Sequence, residues 1–251
     1  MINEINKPVE QLLNSDREIE KYSNFLKEDQ IVVAREQFDL RTINKWREYL
    51  CNVGKNSLPN YIPIERDAPN SHRINDQDKR AYVRGCFHQF SFYPWNQDCF
   101  NFFELTKSLF RFKNLLSDLD ADSFLSKVPE NGFTSRLSFQ FYPAGCGMLS
   151  KHRDPVDVHQ ICLPILIMSS KGSDFLTGGA FVELPKGKVY LEDIAQPGDV
   201  VFFKATLPHG VDTIDPETER EWLSFKGRWM LLLAINKLSS NTDIGNAEEL
   251  N

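Results

Sequence analysis

Between Ser135 and Asn236 the chain is a succession of short β-type runs cut by turn residues, and this rhythm restricts its fold more than any other feature. The runs are Ser135–Tyr142, Val158–Ser169, Gly179–Leu184, Lys188–Leu191, Val200–Lys204 and Arg228–Asn236. They are broken at Pro143-Ala144-Gly145, Lys171-Gly172-Ser173, Pro185-Lys186-Gly187 and Pro197-Gly198-Asp199. Such closely spaced strands with Pro/Gly turns predict an antiparallel sandwich or jelly roll rather than βαβ units.

The N-terminal half has a different texture. From Lys7 to Lys27, Val9, Leu12, Leu13, Ile19, Tyr22, Phe25 and Leu26 recur at helical spacing. Leu40 to Leu50 reads as a second helix with Asp39 as its cap and Gly54 ending it, and Asn101 to Leu119 as a well-buried third. Ile31-Val32-Val33-Ala34 is a short strand, and Asn52 to Lys79, with Pro59, Pro63 and Pro69, reads as a long surface loop. The expectation is a single α+β domain with a mainly β core. A mostly helical N-terminal region (1–130, loop at 52–79) packs on a β core (131–238), and a disordered polar tail (239–251) follows.

Charge and cysteine usage narrow the functional classes. A net charge of −6 without a basic cluster argues against nucleic acid or an anionic membrane as partner. The five cysteines are odd in number, scattered and without a Cys-x-x-Cys, which argues against a disulfide framework or a zinc ribbon and for a cytoplasmic setting. The polar N-terminus has no apolar h-region and no apolar run reaches membrane-spanning length, so neither export nor anchoring is expected.

The chemistry centres on Leu149-Ser150-Lys151-His152-Arg153-Asp154-Pro155. Residues i and i+2 of an extended chain share a side, so His152 and Asp154 aim an imidazole and a carboxylate at one point. A facial iron site uses two histidines and one carboxylate and leaves positions open for substrate and oxygen. The candidate for the missing ligand is His209, 57 residues downstream and just after the Val200–Lys204 run. Taken singly, these residues equally describe a turn histidine beside a capping aspartate and an unrelated loop histidine. Arg228 opens the apolar run Trp229 to Ile235 and needs an anionic partner, because an unpaired buried cation is costly. A dicarboxylate held by the guanidinium fork would supply one.

Four motifs in order resemble the Fe(II)/2-oxoglutarate-dependent dioxygenases, in particular the prolyl-hydroxylase-like branch of that double-stranded β-helix superfamily. Phe141-Tyr142-Pro143-Ala144-Gly145, with Tyr142 ten residues before His152, looks like the branch's Tyr-Pro strand end. Thr177-Gly178-Gly179-Ala180-Phe181 looks like its Gly-Gly strand start, Gln196-Pro197-Gly198-Asp199 like its Pro-Gly-Asp turn, and Leu207-Pro208-His209-Gly210-Val211 like its distal histidine. The resemblance covers roughly Ser135 to Leu238. It implies a double-stranded β-helix in which His152, Asp154 and His209 hold Fe(II). Arg228 would then pair with the distal carboxylate of 2-oxoglutarate, with a hydrogen bond from Tyr142 to the same cosubstrate. Oxygen is the remaining cosubstrate, and the implied reaction hydroxylates a C–H bond while releasing succinate and carbon dioxide. Retention of Asp154, which related halogenases replace by a small residue, favours hydroxylation. In the family the arginine usually follows the distal histidine by about ten residues, whereas Arg228 follows His209 by nineteen. Arg220 lies at the usual distance but in the charged stretch Asp215 to Glu221, so Arg228 is preferred and Asp212 to Gly227 reads as an inserted loop.

Candidates for substrate contact are Arg84, His88, Arg136, Gln140 and Asp157. Alternation puts Arg136, Ser138, Gln140 and Tyr142 on one face, which either lines the barrel mouth or meets solvent. Arg84, His88 and Trp95 either form a substrate wall or pack as core and edge, and His159 reads as a structural histidine. Asp157 would suit a cationic amino acid. No docking element for protein or nucleic acid stands out, so the expected substrate is a small molecule, a free amino acid or natural-product intermediate. A hydroxylase of peptidyl residues and a non-catalytic, metal-containing jelly-roll binding protein stay open.

Overall fold

The computed structural model describes residues 1–155 and 161–250. In chain order the strands are β1 (Ile2–Ile5), β2 (Ile31–Ala34), β3 (Ser71–Asp76), β4 (Gly85–Phe92), β5 (Phe133–Pro143), β6 (Met148–Arg153), β7 (Cys162–Ile167), β8 (Gly179–Leu184), β9 (Gly187–Tyr190), β10 (Val200–Lys204), β11 (His209–Asp212), β12 (Gly227–Lys237) and β13 (Glu248–Glu249). The helices are α1 (Asp16–Lys27), α2 (Leu40–Asn56), α3 (Phe102–Leu116) and the single turn α4 (Leu191–Ile194). Among the described residues no helix is long and apolar enough to cross a membrane.

The strands form one sheet that curls on itself in the order β1-β2-β10-β7-β12-β5-β4-β6-β11-β8-β9, with β3 added on β4 and β13 on β6. Every described pairing except β1 with β2 is antiparallel. The central strands are buried on both faces, and alternation sends successive side chains into two separate cores. Trp229, Leu231, Leu233 and Ile235 of β12 join Leu137, Phe139 and Phe141 of β5 against the helices, where Tyr22, Leu26, Trp46, Leu50, Leu109 and Phe112 are buried. Met230, with Ile165, Ile167, Val201 and Phe203, faces the other way and meets Ala180, Val182 and Val211 inside the barrel.

The helices begin where capping chemistry allows. Asp39 accepts a hydrogen bond from the Thr42 N–H at 2.7 Å, and the Asp98 carboxylate accepts from the N–H groups of Phe102 and Phe103 at 2.8 and 2.9 Å. The Pro-Gly-Asp turn acts as a tie. The buried Asp199 accepts from the Glu36 N–H at 2.8 Å, from Arg35 at 2.8 Å and from the Gln196 N–H at 3.1 Å. Gly198 beside it has φ +99° and a Cβ there would lie 2.2 Å from the Phe38 carbonyl, so the turn requires glycine.

Several boundaries differ from expectation. The N-terminal region packs its helices on the core as expected but also contributes β1 to β4 to the sheet, because its apolar runs find unpaired edges beside β10 and β5. The loop expected at 52–79 shrinks to 57–70, since α2 runs on to Asn56 and β3 pairs along the whole of Ser71 to Asp76. Gly54 does not end α2 but lies within it, where a Cβ would meet the Phe225 ring at 2.4 Å. The tail is not without structure either. Glu248 and Glu249 pair with Arg153 and His152, and the Leu250 N–H donates to the Lys151 carbonyl at 2.8 Å. The first residues of the run at Val158–Ser169 lie outside the described residues, and the remainder forms β7.

Candidate active site

The candidate metal triad is a consequence of strand register. His209 opens β11 and stands directly opposite His152 of β6 in the antiparallel pair, so both rings leave the sheet on one side. Asp154 follows two residues after His152 and is anchored by its N–H to the Ala205 carbonyl at 3.2 Å. The ring centroids are 4.2 Å apart. Asp154 brings one oxygen to 3.7 Å from Nε2 of His152 and the other to 3.8 Å from Nε2 of His209. One ligand atom from each residue falls within 4.8 Å of the others, the only such cluster of three among the described residues.

Backbone carbonyls settle which nitrogen of each ring is available. Nδ1 of His152 lies 2.9 Å from the Ser150 carbonyl and Nδ1 of His209 lies 2.8 Å from that of Leu207. A carbonyl can only accept, so each Nδ1 carries the proton and each Nε2 points its lone pair at the shared centre. Burial, with the His152 ring second, pushes the His209 pKa down to about 4, so its ring is neutral at pH 7. Two imidazoles and one carboxylate on one face form the donor set suited to a ferrous ion with open positions.

Arg228 is wholly buried at the start of β12, opposite Tyr142 of β5. Gly227 before it has φ +140°, and a Cβ there would lie 2.2 Å from the Tyr142 carbonyl. The sequence argument for an anionic partner is corrected in part. Nε of Arg228 donates to Glu192 of α4 at 2.5 Å, so the chain itself supplies a carboxylate. Both Nη atoms nevertheless remain buried without a hydrogen-bond partner among the described residues. This orphaned planar fork, tied through Glu192 to Ala180 of β8, the strand paired with β11, fits a ligand carboxylate. Tyr142 lies under that guanidinium at 5.4 Å, and its hydroxyl donates to Gln140 at 2.5 Å. Burial raises its pKa, so the phenol stays protonated. Arg220 is half-exposed and pairs with Asp76 at 3.2 Å, as its charged loop suggested.

The polar face of β5 turns inward. Gln140, in register with Gln89 of β4, and Ser138 are buried, and Gln89 donates to the Ser138 hydroxyl at 2.8 Å. Arg136 lies on the same face and shares a hydrogen bond with the Tyr93 hydroxyl. His88 is a correction. It pairs with Phe141 and therefore faces the helix-side core, among His72, Phe90, Phe141, Trp222 and Phe225, away from the triad. Arg84 stands at the rim with its guanidinium mostly in solvent and bonded to Glu249 at 2.5 Å. Trp95 packs on Tyr93 and donates to the Ala68 carbonyl at 2.8 Å. Asp157 and His159 lie outside the described residues.

Sequence reasoning missed Glu192, whose four-residue helix carries no pattern of its own, and Arg73, which alternation in β3 places on the inner face in register with Gln89. Calling β3 a loop hid that second arginine.

No protein-family model matches the sequence, and no curated protein matches it. Solved structures do. A prolyl-4-hydroxylase from Pseudomonas putida aligns over 87% of this chain and 98% of its own at 13% identity and a TM-score of 0.53. A prolyl hydroxylase from Trichoplax adhaerens, solved with a hypoxia inducible factor peptide, aligns over 90% and 92% at 13% identity and a TM-score of 0.54. A non-heme α-ketoglutarate-dependent epimerase, SnoN from nogalamycin biosynthesis, aligns over 88% and 83% at 10% identity and a TM-score of 0.50. The expected architecture is thereby borne out: this chain has the double-stranded β-helix fold on which the two hydroxylases and the epimerase are built.

Proposed function

We propose that this protein is an Fe(II)- and 2-oxoglutarate-dependent dioxygenase that hydroxylates an unactivated C–H bond of a small molecule, a free amino acid or natural-product intermediate. The observation that carries the reading is the convergence of His152, Asp154 and His209 on one point, together with the buried, unpartnered Nη atoms of Arg228 in the same curled sheet. A ferrous ion bound there with 2-oxoglutarate would supply the chemistry by which oxygen yields succinate, carbon dioxide and one oxygen atom inserted into the substrate.

The remaining work falls to the chain. His152, Asp154 and His209 would hold the ion and leave positions open for ligands. The Ser150 and Leu207 carbonyls keep the two imidazoles in the tautomer that ligates. Arg228 pairs through its free Nη edge with the distal carboxylate of 2-oxoglutarate, while Glu192 holds Nε and fixes the plane of the guanidinium. The Tyr142 hydroxyl, now given to Gln140, is within the same group of side chains and hydrogen-bonds the cosubstrate. The apolar walls from Ile165, Val201 and Met230 exclude water from the centre.

Anaerobic addition of Fe(II) and 2-oxoglutarate should produce a weak visible charge-transfer band that His152→Ala abolishes, and a colourless wild type would sink the reading. A screen of amino acids and small metabolites for stimulated succinate release, with mass spectrometry for the gain of one oxygen, then identifies the substrate. Hydroxylation of peptidyl residues is the second reading, favoured by the fold likeness to a prolyl hydroxylase solved with a peptide. Turnover of free amino acids with none of peptides counts against it.

A further inference from the structure

We propose that Arg73 and Arg136 form a substrate subsite for an oxyanion, so that the molecule oxidised carries a carboxylate or phosphate group; this rests on the reading of the triad and Arg228 as the metal and 2-oxoglutarate site. Both arginines sit on the inner face of the curled sheet. Arg73 is in register with Gln89, which is in register with Gln140, and Arg136 follows Gln140 and Ser138 at the two-residue period of β5. The neutral polar groups of this face satisfy one another, Tyr142 with Gln140 and Gln89 with Ser138. The arginines are satisfied only in part, Arg136 by the Tyr93 hydroxyl and Arg73 by the face of the Tyr61 ring. Nε of each is buried without a hydrogen-bond partner, and neither guanidinium has an ion-pair partner among the described residues.

The surrounding charges sharpen the point. Burial first, and the charge of Arg136 second, press the Arg73 pKa down. Burial likewise lowers Arg136, and the carboxylate whose charge opposes this is Asp154, which the metal claims. The carboxylate acting on Arg73 is Asp78, and Arg80 already grips both its oxygens at 2.9 and 2.7 Å. Arg80 and Arg73 also lie over the same Tyr61 ring, at 4.6 and 5.4 Å, which adds positive potential at this edge. Two half-buried guanidinium groups on one inner face, each with a buried and unpartnered Nε and without a described counter-ion, are costly to folding, and an oxyanion bound between them removes that cost. This points away from the cationic amino acid that Asp157 would suit and towards an acidic substrate.

The test uses metal-free protein titrated with inorganic phosphate and, separately, malonate, against sodium chloride at equal ionic strength, read as thermal midpoint and tryptophan fluorescence. One of the two oxyanions should stabilise the wild type saturably beyond chloride, and the one that does identifies the head group. Arg73→Gln and Arg136→Gln should each weaken that response at least ten-fold. Without anion both variants should melt at or above the wild type, since each removes a half-buried cation without a described counter-ion. Arg73→Lys and Arg136→Lys keep the charge and should retain part of the response. No oxyanion effect beyond chloride, an undiminished effect in the Gln variants, or lower midpoints in both Gln variants would overturn the proposal. Failure of the charge-transfer band with an intact oxyanion response would instead remove the dioxygenase reading and leave the subsite standing.

Discussion

His152 and His209 face each other across the β6–β11 pair with ring centroids 4.2 Å apart, each donating Nδ1–H to the carbonyl two residues before it. Both lone pairs therefore point at the Asp154 carboxylate, and an ion there joins three strand-anchored groups. We expect a saturating divalent ion to raise the thermal midpoint, since binding to the folded state alone stabilises by about 2.7 kcal/mol at a hundred times Kd. His152→Ala and His209→Ala should each weaken metal affinity at least ten-fold by calorimetry. Wild-type affinity in either variant would rule the triad out.

Arg228 and Arg220 separate cleanly by environment. Removing Arg228 leaves Glu192 buried without its partner, so Arg228→Met should cost roughly 3–5 kcal/mol, and adding Glu192→Met should recover most of it. That double variant should fold and fail to bind 2-oxoglutarate. Arg220→Ala breaks only a half-exposed pair and should change stability by at most about 1 kcal/mol and leave 2-oxoglutarate binding unaltered. Calorimetry of 2-oxoglutarate binding to both proteins decides which arginine is the anchor.

The β core and the triad were legible because period-two alternation, turn residues and His-x-Asp are local signals, and the β runs from Ser135 to Asn236 recur as β5, β7 to β10 and β12 with small shifts, while β11 carries no run of its own. What was illegible depended on partners distant in sequence. β3 reads as loop because its residues His72, Arg73 and Asn75 are polar, yet β4 gives it a ladder and buries His72 and Asn75. His88 reads equally as substrate wall or as core, and only the register with Phe141 shows which face it occupies. Glu192 answers Arg228 from 36 residues away, a separation no local pattern encodes.

The C-terminal strand is a structural addition to the metal strand. β13 pairs with His152 and Arg153 on the side where β4 has ended, and Arg84 holds Glu249. Deleting residues 246–251 frees these backbone groups of β6, so we expect a several-fold loss of metal affinity and a small drop in thermal midpoint. Glu249→Ala alone removes a pair whose arginine is largely in solvent and should cost at most about 1 kcal/mol without altering metal affinity. Equal metal binding by the truncated and full-length chains would show that the strand plays no part in placing His152.

A buried histidine pair on the helix side of the sheet should make folding acid-sensitive independently of the triad. Nδ1 of His72 meets the Ser57 hydroxyl at 2.7 Å and its Nε2 meets Nδ1 of His88 at 3.0 Å, with Phe90 stacked on His72 at 4.5 Å. Burial pushes His72 down to about 4 and, with the neighbouring ring second, His88 to about 3. Both are depressed below the value near 6.5 expected for the unfolded chain, so below pH 6.5 the unfolded state binds protons that the folded state refuses. Stability is therefore fully present above about pH 7 and falls as pH drops towards 4, by about 2 kcal/mol between pH 7 and 5 for His72 alone. Urea midpoints at pH 7 and pH 5 for the wild type and for His72→Gln/His88→Phe should differ less in the variant by that amount. Equal pH dependence in the two proteins would mean that the pair is already protonated, or paired with an acid, in the folded state.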